Sequence, residues 1–373
     1  MKTQPTLKLG KLEALRGIAA FYVMLGHVFA GQLKFGNLNL SFLLDFGQEA
    51  VILFFVLSGF VIQYSFEQSK DKSFGLFFAK RFLRIYIPLV IVFIVNYMLA
   101  CYQQGKWFRP DWFELAGNLL MLQDAGALKS NVICGLFLGN SPLWSLSYEW
   151  WFYMIFFFVA TRYRKHASAI VYVAGLLAAV SYIIYPNFIN RIFMYLVIWW
   201  AGADMALLYL RNEGISFSTM KRPLLVLLGM IALLALNVVI NKEKLAAQLG
   251  FSTIGISPYL ELRHFGFSFI AICGALVWKN LKWFLFDQTV GLFEPFAKIS
   301  FGVYISHWFL VAEATYLDNI VGNVYLRYAL YFSICFLFSF LVERKIYPVM
   351  SRKILNRIKN RSADKKKLTE RFA

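Results

Sequence analysis

The sequence predicts an all-α protein that crosses a membrane about ten times. Three observations carry that expectation. Of its 373 residues 60% are hydrophobic, its mean hydropathy is +0.59 and only 16% are charged, against roughly a quarter in soluble domains. Apolar runs of the ~20 residues needed to cross ~30 Å of hydrocarbon recur along the chain. These runs are continuous rather than alternating, as spanning helices require and barrel strands do not.

Spans are expected at about 13–31, 45–65, 82–101, 143–160, 168–185, 192–210, 223–240, 262–279, 299–316 and 327–346. With the N-terminus in the cytoplasm, 29 of the 38 Lys/Arg residues fall on inner segments and 9 on outer ones, the bias that orients membrane proteins. Both termini are then cytoplasmic. The net charge of +18 follows from this bias and not from nucleic-acid binding. Lys2, Lys8 and Lys11 with "VFA" before Gly31 faintly resemble a signal peptide. The long polar opening, Arg16 and the spans that follow favour an uncleaved first helix.

Residues 1–351 form one transmembrane domain and 352–373 a basic cytoplasmic tail, whose opening "RKILNRIKNR" suits a helix lying on an anionic leaflet. In the outer segment 102–142, "KWFRPDWFELAGNLLML" suits a short interfacial helix, and 241–261 forms a second outer loop. Cys101, Cys134, Cys273 and Cys335 are scattered without a CxxC pair or His/Cys cluster, so neither a disulfide framework nor a metal site is expected.

Ionisable groups inside spans are costly and therefore point to function. In "LEALRGIAAFYVMLGHVF", Arg16 sits at the cytoplasmic end and His27 eleven residues later, about 16 Å higher and near the bilayer midplane. Arg16 alone reads equally as a snorkelling anchor. His27, an imidazole that titrates near neutral pH, suits proton transfer or a packing hydrogen bond. In "SPLWSLSYEWWFY", Glu149 lies ~9 Å below the outer edge of span four. It meets His27 if spans one and four are neighbours, and would then fix its tautomer.

Ser58 and Gly59 in "FFVLSGFVI" either allow close helix packing or clear room for a narrow ligand chain. Arg81 and Arg84 in "KRFLRIYIP" are either basic anchors or a clamp for a diphosphate. His307, in "ISFGVYISHWFL", lies ~12 Å into span nine. Asp204 reads as structural, His166 as a surface residue, and Asp45, Glu49, Glu261, Arg263 and His264 as solvated loop ends.

Taken in order, "LEALRGIAAFYVMLGH", "LFFVLSGFVI", "RFLR", "LWSLSYEWWFY" and "ISFGVYISHWFL" resemble membrane-bound acyltransferase family 3, bacterial O-acyltransferases that modify surface polysaccharides. The resemblance implies an inner-membrane enzyme with an acyl-CoA donor, usually acetyl-CoA, and an extracytoplasmic glycan or lipid-linked saccharide acceptor. It maps an essential histidine onto His27, an acidic residue onto Glu149, a first-span arginine onto Arg16 and an inner arginine pair onto Arg81 and Arg84. Joined to the depth of these groups, it gives a donor held near Arg16, Arg81 and Arg84 with its arm passing Ser58 and Gly59, catalysis by His27 and Glu149, and Tyr148, Tyr153 and His307 as supporting candidates. Trp150 and Trp151 stand where relatives often carry an acid and an amide. Some members also have an extracytoplasmic hydrolase-like domain, so this membrane domain is expected to act alone or with a partner. The competing expectation is a transporter or proton-coupled channel using His27 and Glu149 as a relay.

Overall fold

A computed structural model describes residues 9–29, 34–35, 38–249 and 255–358. The principal helices are α1 (Gly10–Phe29), α2 (Gly47–Gln68), α3 (Phe74–Gln104), α4 (Trp112–Leu119), α5 (Trp144–Arg162), α6 (Ala167–Ile184), α7 (Phe188–Leu210), α8 (Lys221–Leu249), α9 (Tyr259–Asn280), α10 (Ser300–His307) and α11 (Val324–Phe340). Strand structure among the described residues is confined to a two-residue antiparallel pair, Lys34–Phe35 with Leu38–Asn39.

Eight helical stretches among the described residues are long and apolar enough to cross a membrane, and the protein is an all-α polytopic membrane protein. Two expected spans differ from the rest. At 19 residues α5 has the length, but its Ser, Tyr, Trp and Glu side chains dilute its hydropathy. The ninth span, expected at 299–316, is a helix only over Ser300–Ala312. Its 13 residues reach about 20 Å, short of a full hydrocarbon crossing. A 3-10 segment, Val290–Lys298, precedes it and packs along α1. The last span continues as helix to Ile358, while the rest of the tail and part of the 241–261 loop lie outside the described residues.

Local chemistry sets several helix ends. The Asp111 side chain caps α4 by accepting from the amides of Phe113 (2.8 Å) and Glu114 (3.0 Å). Trp107, Trp112 and Phe113 are exposed around it, an aromatic collar of the kind found at lipid–water boundaries. Helix α3 ends at Gly105, which takes φ +65° and donates back to Tyr102 O, a left-handed stop that glycine adopts without strain. Inside α3, Pro88 lacks the amide that would bond the Arg84 carbonyl.

The closest helix pair is α2 with α7. An added Cβ on Gly59 would strike the Trp199 carbonyl oxygen, and one on Gly202 would strike that of Val56. Phe55 lies against Tyr195 while Phe60 and Tyr64 lie against Tyr209, so the two helices run the same way. Small residues let backbones approach in lipid, where van der Waals packing replaces the hydrophobic effect as the force joining helices. Gly59 therefore serves the α2–α7 contact, and its neighbour Ser58 lies at the edge of that contact. Gly202→Val should lower stability by about 1–3 kcal/mol or more, the range for overpacking. Thermal unfolding in detergent checks this, and an unchanged midpoint would contradict so close a contact.

Candidate active site

A cavity of about 450 Å³ opens at the basic end of the bundle between α1, α2, α3, α5 and α10. Four cations, Arg16, Lys80, Arg81 and Arg84, line it. Arg81 Nη2 donates to Ser65 Oγ at 3.0 Å and its buried Nε has no partner. Arg84 Nη1 donates to Glu343 Oε2 at 2.5 Å. Glu343 belongs to a π-helical turn, Leu341–Ile346, that continues α11.

On the cavity wall Glu149 accepts from Ser58 Oγ (2.8 Å) and from the Tyr153 hydroxyl, and Trp199 Nε1 donates to Ser58 Oγ at 3.2 Å. Arg16 and Arg81 lie within electrostatic reach of Glu149. The structure thus gathers Arg16, Ser58, Arg81, Arg84, Glu149 and Tyr153 around one space.

The far end is closed by polar side chains. Tyr304 donates to the Pro142 carbonyl at 2.8 Å, so the Ser145 hydroxyl, 2.8 Å away, donates to Tyr304. One helical turn beyond, His307 is fully buried and its Nδ1 donates to Val303 O at 3.0 Å. That bond leaves Nε2 as a bare acceptor, and it has no partner. The His307 ring lies 5.4 Å from the His27 ring, and Trp308 meets His27 edge-on at 5.0 Å. From Trp308 the helix loosens into a π turn through Ala312, a feature common at functional sites.

The expected His27–Glu149 pairing is not among these contacts. Helix α1 packs on α2, α10 and the 3-10 segment, whereas α5 packs on α3, α7 and α2. The two side chains therefore have different neighbours. His27 also stands within a turn of the outer end of α1, since that helix begins six residues before Arg16.

Two groups of residues escaped the sequence argument. Opposite the basic end, Asp124 accepts from Lys129 Nζ (2.9 Å), Tyr148 OH (2.5 Å) and Arg191 Nε (3.2 Å), all buried. Tyr148 belongs to this cluster and not to the cavity. Burial pulls the Lys129 ammonium below the usual lysine range, while Asp124 beside it works the other way. The ammonium also lies 3.8 Å over the Trp144 ring. Arg191 Nη1 holds Ser130 O at 2.8 Å, and Asn140 Nδ2 holds Ile305 O at 3.0 Å. Through these bonds the loop between α4 and α5 fixes the start of α5, which carries Glu149, and α10, which carries His307. The one signal in the sequence was Arg191, a charge at the start of an apolar run.

The second group is Glu49, Glu261 and His264, from the set expected to be solvated, of which Asp45 is exposed as expected. Glu49 is 2% exposed, and Glu261 and His264 are fully buried. Arg263 Nη2 bridges to Glu49 at 2.6 Å, Ser257 Oγ donates to Glu261 at 2.6 Å, and His264 Nδ1 lies 2.6 Å from Tyr195 OH. Asp204 accepts from Ser168 (2.7 Å) and Tyr172 (2.6 Å), as a structural residue should. His166 is exposed, and a grouping of three or more possible metal ligands is absent among the described residues.

Asp124→Asn would leave Lys129 and Arg191 buried without their counter-charge and should cost about 3–5 kcal/mol. A lowered unfolding midpoint in detergent is the expected outcome, and near-wild-type stability would refute the role given to the cluster.

Over 158 residues the chain is 33% identical to acyltransferase MdmB of Streptomyces mycarofaciens, a match covering 40% of this chain and 38% of that protein. No solved structure matches. Residues 9–344 match the acyltransferase domain of family 3, which spans most of the fold just described and every candidate residue named from its sequence. The chain belongs to membrane-bound acyltransferase family 3.

Proposed function

We propose that the protein transfers an acyl group, acetyl in the simplest case, from CoA at the basic, cytoplasmic end to a hydroxyl of a glycan or lipid-linked saccharide on the other side of the inner membrane. The observation that carries this reading is the cavity, which runs from the arginines to within one turn of the His27–His307 pair. Arg81 is bonded to Ser65, and Phe54 lies against Tyr304. Those two α2 residues are eleven apart, about 16 Å. The same interval separates Arg16 from His27 on α1. A narrow arm whose phosphates engage the arginines therefore presents its far end beside the imidazoles.

In this mechanism Arg16, Arg81 and Arg84 hold the donor's phosphates, with the unpartnered Arg81 Nε among the free donors. Glu149, held by Ser58 and Tyr153, balances the charge of the arginines and shapes the channel wall. His27 removes the proton from the acceptor hydroxyl, whose oxygen then attacks the thioester carbonyl. The carbon–sulfur bond breaks, the electron pair leaves on sulfur, and the imidazolium returns the proton to the thiolate. In a covalent variant of this route, His27 takes the acyl group itself before the acceptor does. The orienting role expected of Glu149 passes to His307, whose bare Nε2 accepts from His27 through one water.

Purified protein with labelled acetyl-CoA tests the assignment. His27→Ala should reduce turnover by about 10²–10⁴-fold, the range for a lost general base. His307→Ala should reduce it less, and His307→Gln, which keeps an acceptor, should recover part of the loss. Wild-type turnover in His27→Ala would sink the catalytic assignment. Arg81→Ala should weaken CoA binding by roughly 10–100-fold, as for a charge-assisted hydrogen bond. Unchanged affinity would return Arg81 to the role of an anchor.

A further inference from the structure

A second pocket, of about 680 Å³, opens at the basic end among α6, α7 and α8, away from the donor cavity. Its lining carries five cations, Arg164, Lys165, Arg211, Lys221 and Arg222, against one carboxyl group, Asp204. Asp204 is already engaged by Ser168 and Tyr172. Arg164 reaches Glu67 only at 3.5 Å and Arg211 reaches Glu213 only at 3.8 Å, long pairs whose arginines are exposed to solvent and which have little strength. The first turns of α6 and α8 face the same space, so their dipoles add to its positive potential.

Ordinary positive-inside anchoring needs cations at a helix end but does not need a concave space between them. Here the cations surround a hollow, and apolar groups adjoin it. Pro223, Leu225 and Val226 form part of its wall. Leu225 and Leu228 on α8, with Val173 and Leu177 on α6, carry an exposed apolar surface away from it along the helices. A polar hollow continued by lipid-facing hydrocarbon suits a molecule with an anionic head and fatty chains.

We propose that this pocket binds a phosphate-bearing anion, with the headgroup of an anionic phospholipid as its source. Lys221 and Arg222 at the start of α8 supply the direct contacts, and the acyl chains lie along α6 and α8. The site is separate from the donor cavity, sharing none of its lining residues.

The test uses the full chain, delipidated in a neutral detergent and titrated with phosphatidylglycerol, phosphatidylcholine or inorganic pyrophosphate. Thermal unfolding and lipid retention in native mass spectrometry are the readouts. Phosphatidylglycerol should raise the unfolding midpoint and be retained, and phosphatidylcholine should do neither. The double variant Lys221→Gln/Arg222→Gln should lower the apparent affinity about 30-fold, equivalent to about 1 kcal/mol for each charge. Arg81→Ala, in the other cavity, should leave it unchanged. Pyrophosphate protection without lipid, lost in the double variant, would confirm the anion site and make its source a soluble phosphate. Equal response of the wild type to both lipids, with no effect of pyrophosphate, would overturn the proposal whatever the variants do. So would anionic-lipid binding that the double variant leaves intact.

Discussion

Asp124 carries two cations at once, and much of the bundle hangs from that arrangement. Buried inside the protein, no water screens a stray charge, so Lys129 and Arg191 are tolerable only while a carboxylate lies between them. The contacts reach in three directions: to the aromatic floor of Trp144 and Tyr148, to the start of α7, and along the loop to Ser130. The same loop ends in Asn140 and Pro142, which bind α10 at Ile305 and Tyr304. One buried carboxyl group thus sets where α5 and α10 stand, and those helices carry the two ends of the candidate site.

The second constraint is distance of approach. Gly59 and Gly202 let the backbones of α2 and α7 touch, and Ser58, next to Gly59, borders both α7 and the cavity. Trp199, whose carbonyl lies where a Gly59 side chain would be, also sends its indole N–H to Ser58. Packing and site are therefore joined in one pair of residues. A change that spreads the helices would also release the hydroxyl holding Glu149.

Much of this was legible in the amino-acid sequence. Hydropathy and helix length locate the spans, because the cost of unpaired backbone in lipid leaves few alternatives. The buried polar residues announce the site, because each is expensive. Depth along a helix is also readable, which is why Arg16 and His27 appear as the two ends of a path. What depth cannot supply is the neighbour. His27 and Glu149 suited one another by height, but lateral packing gives His27 to His307 and Glu149 to Ser58 and Tyr153. Glu49, Glu261 and His264 at the outer ends were misread for a related reason, while Asp45 is exposed as expected. Glu49 and Glu261 look solvated in a linear chain, and only the fold shows Arg263 and Ser257 closing over them.

The eleven-residue interval between the arginines and the imidazoles has an electrical meaning. Moving one elementary charge across a membrane potential of 100 mV takes about 2.3 kcal/mol. The cavity's cations are confined to one end, and its far end is closed by the neutral groups of Tyr304, Ser145 and Pro142. In the proposed reaction the charged part of the donor stays with the arginines, and only an uncharged acyl group lies at the far end. The transfer then does almost no work against the membrane potential, and its rate should be indifferent to whether the cell is energised.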